Sequence, residues 1–259
     1  MSLTSQKVEN GIGTVQFTGA TKLNCLTGEL MRDIMAQLDT LDKEGARVMV
    51  IRAQPDAPVW SAGHDINELP EPRRDALSYS DPLETLLRHV QECPVPVIAM
   101  VQGSVWGGAC DLCCSCDIVV ASDTAIFAMT PAKVGIPYHA SGLVHFLNHI
   151  SVNKAKEMFF TGDPTPATDA HIHGFVNHVV PAGELEKFTY ALAARIAKNA
   201  PLAVRALKAE LRLLTRGPLI DTETGERIES IRRRVYDSAD YEEGLRAFKE
   251  KRAPHFHGR

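Results

Sequence analysis

Two glycine-rich loops decide the architecture of this chain: Ser61-Ala62-Gly63-His64-Asp65-Ile66 and Gly103-Ser104-Val105-Trp106-Gly107-Gly108-Ala109. Each follows a short apolar run typical of a buried strand, at residues 47–53 and 96–101. A Gly-Gly pair that opens a helix leaves backbone N–H groups unpaired and sterically approachable. With an N–H group of the first loop opposite, these donors would form an oxyanion hole. A tight turn with close helix packing explains the same residues equally well.

The segments around these loops predict an α/β protein. Asn10-Gly11 predicts a hairpin over residues 8–17, and Thr27 predicts the N-cap of a helix that Gly45 ends. Further runs alternate between strand and helix, which favours a largely parallel sheet. The strands are predicted at 47–53, 96–101 and 118–121, and the helices between them at 83–91 and 109–116.

The last third of the chain has a different composition. From Gly183 onward the pattern predicts helices almost throughout, with breaks at Pro201, Gly217-Pro218 and Ser238. The predicted helices are 184–198, 202–214, 222–236 and 241–251. The sequence therefore predicts an α/β body followed by a helical C-terminal part.

Charge and composition exclude several classes of protein. The 259 residues carry 28 basic and 32 acidic side chains, a net charge of -4, which argues against a nucleic-acid-binding surface. The basic run at residues 232–234 predicts a solvated helix face instead. No apolar leader opens the sequence, and the longest uncharged run, 93–110, is interrupted by proline and glycine, so no membrane span is expected. Six cysteines without a leader predict reduced thiols in a soluble, cytoplasmic protein.

Common cofactor and metal motifs do not occur in the sequence. A dinucleotide fingerprint, a phosphate-binding P-loop and a G-x-S-x-G elbow are all missing. The cysteines at 110, 113, 114 and 116 fall within one predicted helix, where their spacing prevents convergence on a single ion. The histidine pairs at 171/173 and 255/257 are interpreted as solvated side chains. We therefore predict no metal and no cofactor.

The motifs of the chain, taken in order, resemble those of the crotonase (enoyl-CoA hydratase/isomerase) superfamily. The matching stretches are Leu23-Asn24-Cys25-Leu26, residues 61–66, residues 102–109, Thr161-Gly162-Asp163, Gly174-Phe175-Val176-Asn177 and the tail at 243–252. The resemblance implies a spiral of β-β-α turns with a helical C-terminal trimerisation region. It predicts a CoA-thioester-binding core at residues 1–195 and an oligomerisation region at 196–259.

The resemblance also implies an acyl-CoA thioester as the ligand, carried in a homo-oligomer that is a trimer or a dimer of trimers. In the family, backbone N–H groups at the positions of His64 and Gly108 hold the thioester oxygen as it becomes an enolate. Ten further positions are expected at the site by the same likeness, two of them beside the reacting group and eight along CoA. They are Thr130 and Tyr138, and then Lys22, Leu23, Ala62, Asp65, Ile66 and Gly107 with Phe248 and Lys251 at the nucleotide end.

The acidic residues that hydratases of this family use are altered here. Two glutamates activate water in those enzymes, and this chain has Asp111 and Pro131 at the corresponding positions. Without the second carboxylate, water addition lacks a general base. Segments 63–70, 128–138 and 234–244 instead resemble the decarboxylases of the superfamily, in which residues at the positions of Tyr138 and Thr130 lie beside the substrate carboxylate.

The expected reaction is therefore the decarboxylation of methylmalonyl-CoA to propionyl-CoA. Loss of CO2 requires no base, but it does require a carboxylate perpendicular to the thioester plane and donors for the enolate charge. Two alternatives stay open at this point. One is an enoyl-CoA hydratase or isomerase that uses Asp111, and the other is a non-catalytic or nucleic-acid-binding relative.

Overall fold

An N-terminal hairpin and a capped helix open the fold. The computed structural model describes residues 3–18, 23–69, 80–215 and 222–258. Strands β1 (Thr4–Glu9) and β2 (Ile12–Phe17) pair antiparallel through Asn10-Gly11, whose φ angles of 53° and 76° fit a tight hairpin turn. Helix α1 (Gly28–Lys43) begins where the Thr27 hydroxyl accepts a hydrogen bond from the Leu30 N–H at 3.2 Å. The predicted hairpin and N-cap are both confirmed.

The larger of two sheets has six strands in the order β1-β2-β3-β5-β7-β10. Its remaining members are β3 (Val48–Arg52), β5 (Val97–Val101), β7 (Ile118–Ser122) and β10 (His178–Val180). All pairings from β2 to β10 are parallel. The predicted strands at 47–53, 96–101 and 118–121 therefore lie side by side, as the alternation with helices indicated.

A second sheet includes Ser61 and residues 104–106, which the sequence analysis assigned to the two glycine-rich loops. It contains β4 (Val59–Ser61), β6 (Ser104–Trp106), β8 (Ile126–Ala128) and β9 (Thr165–Pro166), in that order. These strands have two or three residues each, too few for an alternating pattern to identify. The pairs β3-β4, β5-β6 and β7-β8 each give one strand to each sheet before a helix follows, so the expected crotonase-like α/β spiral of β-β-α turns is confirmed.

The helices cover the sheets and fill the C-terminal part. They are α2 (Pro82–Glu92), α3 (Gly108–Ser115), α4 (Ala140–Leu147), α5 (Val152–Thr161), α6 (Ala167–Ile172), α7 (Leu185–Ala197), α8 (Pro201–Thr215), α9 (Thr222–Tyr236) and α10 (Ala239–Lys249). The four predicted C-terminal helices are confirmed to within a few residues. None of the helices in the described ranges is long and apolar enough to cross a membrane.

The six-stranded sheet is buried on both faces. Along β5, Ala99 and Val101 face the core formed with α1, α2 and α3, whereas Ile98 and Met100 face α7. Five of the six cysteines are buried, including the four in and just after α3. No group of three potential metal ligands occurs among the residues that the structure describes. The cysteine cluster thus packs as small apolar side chains.

The prediction of a solvated basic face at residues 232–234 is wrong for Arg232. Its side chain is buried, and the guanidinium donates to the Tyr236 hydroxyl at 3.2 Å and to Glu229 at 3.0 Å. Arg233 and Arg234 are exposed, as expected. The difference arises because Tyr236 lies one helical turn beyond Arg232 and packs with Tyr241 of α10.

Candidate active site

The two glycine-rich loops expose one backbone donor each. In the first loop, the hydrogen bonds that flank His64 are made by its neighbours: Leu26 N–H donates to Gly63 O, and Asp65 N–H donates to Leu26 O. The N–H of His64 itself therefore points away from Leu26. In the second loop, Gly108 is the first residue of α3, and its N–H has no acceptor within that helix.

These two donors lie next to each other. A Cβ built on Gly108 would lie 3.6 Å from His64 N, and one built on Gly63 would lie 3.3 Å from Gly108 N. Gly63 has a φ of 82° and Gly107 a φ of 50°, backbone conformations that favour glycine. The loops therefore bring together the two N–H groups that the sequence analysis expected to form an oxyanion hole.

Thr130 lies beside the second loop. It follows β8 and precedes the 3-10 turn Pro131–Val134, without using its hydroxyl to cap that turn. Its Oγ1 lies 3.5 Å from the position that a Cβ on Gly107 would occupy. The half-buried Thr130 hydroxyl therefore lies beside Gly107, the residue that precedes the Gly108 donor.

Tyr138 reaches the site through Asp111. The Tyr138 hydroxyl donates to Asp111 Oδ2 at 2.8 Å. Asp111 lies three residues after Gly108 on α3, so the tyrosine hydroxyl contacts a residue one helical turn beyond Gly108. Burial and the neighbouring Asp111 carboxylate raise the pKa of Tyr138 well above its ordinary value. Tyr138 is therefore a neutral phenol whose proton is directed at Asp111.

Asp111 is fully buried and uses both of its oxygens. Oδ1 lies 2.7 Å from His145 Nδ1, and Oδ2, which accepts from Tyr138, also lies 3.5 Å from His139 Nε2. The Gln91 amide lies 2.9 Å from His145 Nε2, which leaves Nδ1 of that ring to donate to Asp111. Burial alone would raise the pKa of Asp111, but His145 and His139 outweigh burial and hold it well below the usual range. The carboxylate is ionised and surrounded by donors.

A second buried carboxylate, Glu84 on α2, lies on the far side of His139. Glu84 Oε1 is 2.6 Å from His139 Nδ1, and Oε2 accepts a hydrogen bond from the Ser141 hydroxyl at 2.9 Å. Burial opposes protonation of His139, yet hydrogen bonds with Asp111 and Glu84 raise its pKa to about 9. The imidazole is therefore a cation at neutral pH.

The His64 side chain behaves in the opposite way. Burial lowers the pKa of His64 below 6.5, although the nearby carboxylates of Asp81, Glu68 and Asp65 act to raise it. The ring is accordingly neutral at pH 7. At this position, the backbone N–H is therefore the donor to be considered for the expected oxyanion hole.

Most residues expected along CoA lie around the first loop. Ala62 N–H donates to the carbonyl of Leu23, an exposed residue with a φ of 53°. Asp65 caps the 3-10 turn Ile66–Glu68, and Ile66 packs against the Tyr236–Tyr241 cluster. Lys22 lies outside the described residues.

Phe248 and Lys251 lie at the end of α10 and just beyond it, and both are exposed. Helix α10 packs on the turn Pro131–Val134, where a Cβ on Gly244 would collide with Val134 O. Their expected role at the nucleotide end of CoA stays a prediction.

The sequence analysis missed Glu84, His139 and His145. Glu84 lies in the apolar stripe of α2, among Leu83, Leu86 and Leu87, which is an unusual position for a carboxylate and was a usable signal. His139 and His145 carried no such mark, because their partners are distant in sequence.

Comparison with known proteins agrees with this geometry. The family model for enoyl-CoA hydratase/isomerase matches residues 7–259. The chain therefore belongs to the enoyl-CoA hydratase/isomerase family. Methylmalonyl-CoA decarboxylase of Escherichia coli (strain K12) is 43% identical to it over 249 residues, which make up 96% of this chain and 95% of that protein.

Two solved structures are similar over nearly the full length. One is methylmalonyl-CoA decarboxylase in complex with 2-nitronate-propionyl-CoA, with a TM-score of 0.97, 41% identity and 99% of both chains covered. The other is the same enzyme complexed with 2S-carboxypropyl CoA, with a TM-score of 0.98, 41% identity and 100% of this chain and 99% of that chain covered. This likeness assigns the chain to the enzymes, in the carboxy-lyase class.

Proposed function

We propose that this enzyme decarboxylates methylmalonyl-CoA to propionyl-CoA, with CoA as part of the substrate and without a metal or nucleotide cofactor. The names of the similar enzymes support the substrate. The arrangement of His64, Gly108, Thr130 and Tyr138 supports the chemistry, as follows.

The thioester oxygen binds between the N–H groups of His64 and Gly108. When the bond from Cα to the carboxylate breaks, its electron pair moves into the thioester and forms an enolate, and CO2 leaves. The two N–H donors stabilise the charge that develops on the oxygen, and each such donor is worth on the order of 10²–10³ in rate. Protonation of the enolate at Cα then gives propionyl-CoA.

The side chains that hold the reacting carboxylate are, in this proposal, Thr130 and Tyr138. The Thr130 hydroxyl is free of a capping bond and acts as the hydrogen-bond donor. Tyr138 gives its proton to Asp111, so its ring and oxygen fix the position of the carboxylate by contact rather than by donation. Both residues follow β8 in the chain.

The state of Asp111 carries the choice of decarboxylation over hydration. A general base must accept a proton from water, and Asp111 is fully buried with both oxygens in contact with Tyr138, His139 and His145. The hydrogen bonds that lower its pKa also make it a weak base. Decarboxylation needs no base, and the oxyanion donors are sufficient for it.

We further propose that CoA lies along Lys22, Leu23, Ala62, Asp65, Ile66 and Gly107, with Phe248 and Lys251 at the nucleotide end. Residues 196–259 would form the oligomerisation region of a trimer or a dimer of trimers, beside a CoA-binding core at 1–195. Exposed leucines on α8 support this assembly, since a contiguous exposed apolar patch is typical of a protein–protein interface. They are Leu202, Leu207, Leu211, Leu213 and Leu214.

The first experiment is incubation of the purified protein with methylmalonyl-CoA, malonyl-CoA and crotonyl-CoA, with product masses as the measurement. We expect propionyl-CoA from methylmalonyl-CoA and unchanged crotonyl-CoA. A hydrated crotonyl product, with both malonyl substrates untouched, would overturn the proposal and make Asp111 the base after all.

Replacing Tyr138 by Phe tests its role. The variant keeps the ring contacts with His139 and Phe159 but leaves Asp111 Oδ2 without its nearest donor. We expect kcat to fall about 10- to 100-fold, as misplacement of a positioning group does, while the Kd for 2-carboxypropyl-CoA changes little. An unchanged kcat would remove Tyr138 from the mechanism.

A further inference from the structure

A buried charge cluster lies behind Tyr138, formed by Glu84, His139 and Asp111. The imidazole of His139 lies between the two carboxylates, 2.6 Å from Glu84 Oε1 through Nδ1 and 3.5 Å from Asp111 Oδ2 through Nε2. All three residues are nearly inaccessible, with 4% of Glu84, 2% of His139 and none of Asp111 exposed. Such a cluster is costly to bury unless its charges compensate one another.

The two carboxylates favour the cationic form of His139, because each ring nitrogen lies at ion-pair distance from one of them. A neutral imidazole has a single N–H and could donate to Glu84 or to Asp111, but not to both. Nδ1 also lies 2.6 Å from the Ser141 hydroxyl, which donates to Glu84 Oε2, and 3.0 Å from the Gly142 N–H. As a cation, His139 reduces the formal charge of the three groups from -2 to -1.

The cluster is packed tightly against Tyr138. A Cβ on Gly142, at the start of α4, would collide at once with Tyr138, Asp111 and His139. The Tyr138 and His139 rings are in contact, with centroids 4.6 Å apart. The Tyr138 hydroxyl has one proton, and the position of the Asp111 carboxylate decides where that proton points.

We propose that His139 is a positioning residue: held as a cation between Glu84 and Asp111, it fixes the Asp111 carboxylate so that it takes the Tyr138 proton. Tyr138 then presents a lone pair, not a donor, to the reacting carboxylate. This inference rests on the proposed decarboxylation. As a consequence, the tyrosine excludes water but does not stabilise the negative charge of the substrate carboxylate. Such stabilisation would favour the ground state over the transition state.

The proposal predicts that His139 controls the alkaline limit of activity. Several charged or titratable groups face the cluster from the elements packed against it, and Arg88 Nη1 lies 4.0 Å from Glu84 Oε2. They are Glu84 and Arg88 on α2, Cys110 and Asp111 on α3, His145 on α4, and the adjacent Tyr138. Burial raises the pKa of Cys110, and burial together with Asp111 raises the pKa of Tyr138 well above its ordinary value. Neither group therefore changes charge near pH 9. His139, with a pKa of about 9, loses its proton there and releases Asp111.

The experiment measures kcat and KM for methylmalonyl-CoA from pH 7 to 10 in the native protein and in two variants. His139→Gln removes the cation, and the double variant His139→Gln/Glu84→Gln removes one negative charge with it, so that the formal charge of the cluster returns to -1. We expect kcat of the native protein to fall as pH rises through about 9. We expect His139→Gln to lose on the order of 10- to 100-fold in kcat at pH 7, with little change in the affinity for 2-carboxypropyl-CoA.

The double variant should recover part of that loss, and both variants should lack the step in kcat near pH 9. If His139 had only a structural role, His139→Gln would lower the stability of the protein. The kcat of the molecules that remain folded would then keep the native pH profile. A native kcat that stays constant to pH 10, or a His139→Gln enzyme with the native kcat, would overturn the inference. If the native protein releases no CO2 from methylmalonyl-CoA at any pH, the proposed function falls, and the inference falls with it.

Discussion

The two sides of this site handle charge in opposite ways. On the oxyanion side, the donors are the backbone N–H groups of His64 and Gly108, and the His64 ring beside them is neutral because burial lowers its pKa. On the other side, Glu84, His139 and Asp111 carry full charges, all of them buried behind Tyr138. In the proposed mechanism, the reacting group is surrounded by dipoles, and the ions lie one layer further back. Fixed charges there can orient a side chain without changing the charge of the pocket itself.

The contrast between the two histidines has a local cause. His139 has a carboxylate within 3.5 Å of each ring nitrogen, and these contacts outweigh burial. For His64, burial outweighs the more distant carboxylates, of which Asp81 is the most influential. The imidazole rings of His139 and His64 are chemically identical, but their different surroundings make the first a cation and leave the second neutral.

The strongest test of the charged side is Asp111→Asn. The amide keeps the shape of the side chain but leaves His139 and Glu84 without the second carboxylate of the cluster. Breaking a buried ion pair in this way costs about 3–5 kcal/mol. We expect the free energy of unfolding in urea to fall by that amount. Asp163→Asn, at an exposed side chain that pairs with Lys133, is the control and should change it by less than about 1 kcal/mol. Equal losses in the two variants would mean that Asp111 is not held by charge.

The matching test of the oxyanion side is Gly108→Pro compared with Gly108→Ala. Position 108 is the first residue of α3, where proline is compatible with the helix but has no N–H. Both variants add a Cβ that approaches Leu83, so the difference between their kcat values reflects the replacement of the Gly108 N–H by the proline ring. We expect kcat for Gly108→Pro to lie at least 10²-fold below that for Gly108→Ala, about 3 kcal/mol. Similar kcat values would exclude the Gly108 N–H as an oxyanion donor.

The pH dependence of stability compares the two histidines directly. The pKa of His139 is raised in the folded protein, so its contribution is complete below 6.5 and is lost as pH rises from 6.5 through about 9. The pKa of His64 is lowered, so its contribution is present above 6.5 and is lost as pH falls below that value. We expect His139→Gln to remove an alkaline decline of at most about 3 kcal/mol in the unfolding free energy. His64→Gln should remove only a smaller acidic decline.

Urea unfolding of both variants and the native protein from pH 5 to 10 provides this measurement. If the alkaline decline persists unchanged in His139→Gln, the assignment of the cation to His139 is wrong.

The sequence was informative where function depends on the backbone. Gly107-Gly108 at a helix start and Gly63 before His64 indicated two approachable N–H donors, because glycine alone permits those conformations, and the structure brings the two donors together. The charged side was not predictable in the same way. Glu84 and His139 are 55 positions apart, and only the packing of α2, α3 and α4 makes them neighbours. The strands β4 and β6 escaped prediction because three residues do not establish an alternating pattern.

The buried cysteines also determine how the protein can be probed. Burial raises the pKa values of Cys93, Cys110, Cys113, Cys114 and Cys116, so their thiolates, the forms that react with maleimides, are scarce at neutral pH. An engineered cysteine at an exposed position would therefore take up a fluorophore ahead of these five native thiols. Phe248→Cys, at the end of α10, would make such a probe, and its emission could follow the arrival of a CoA ester in real time.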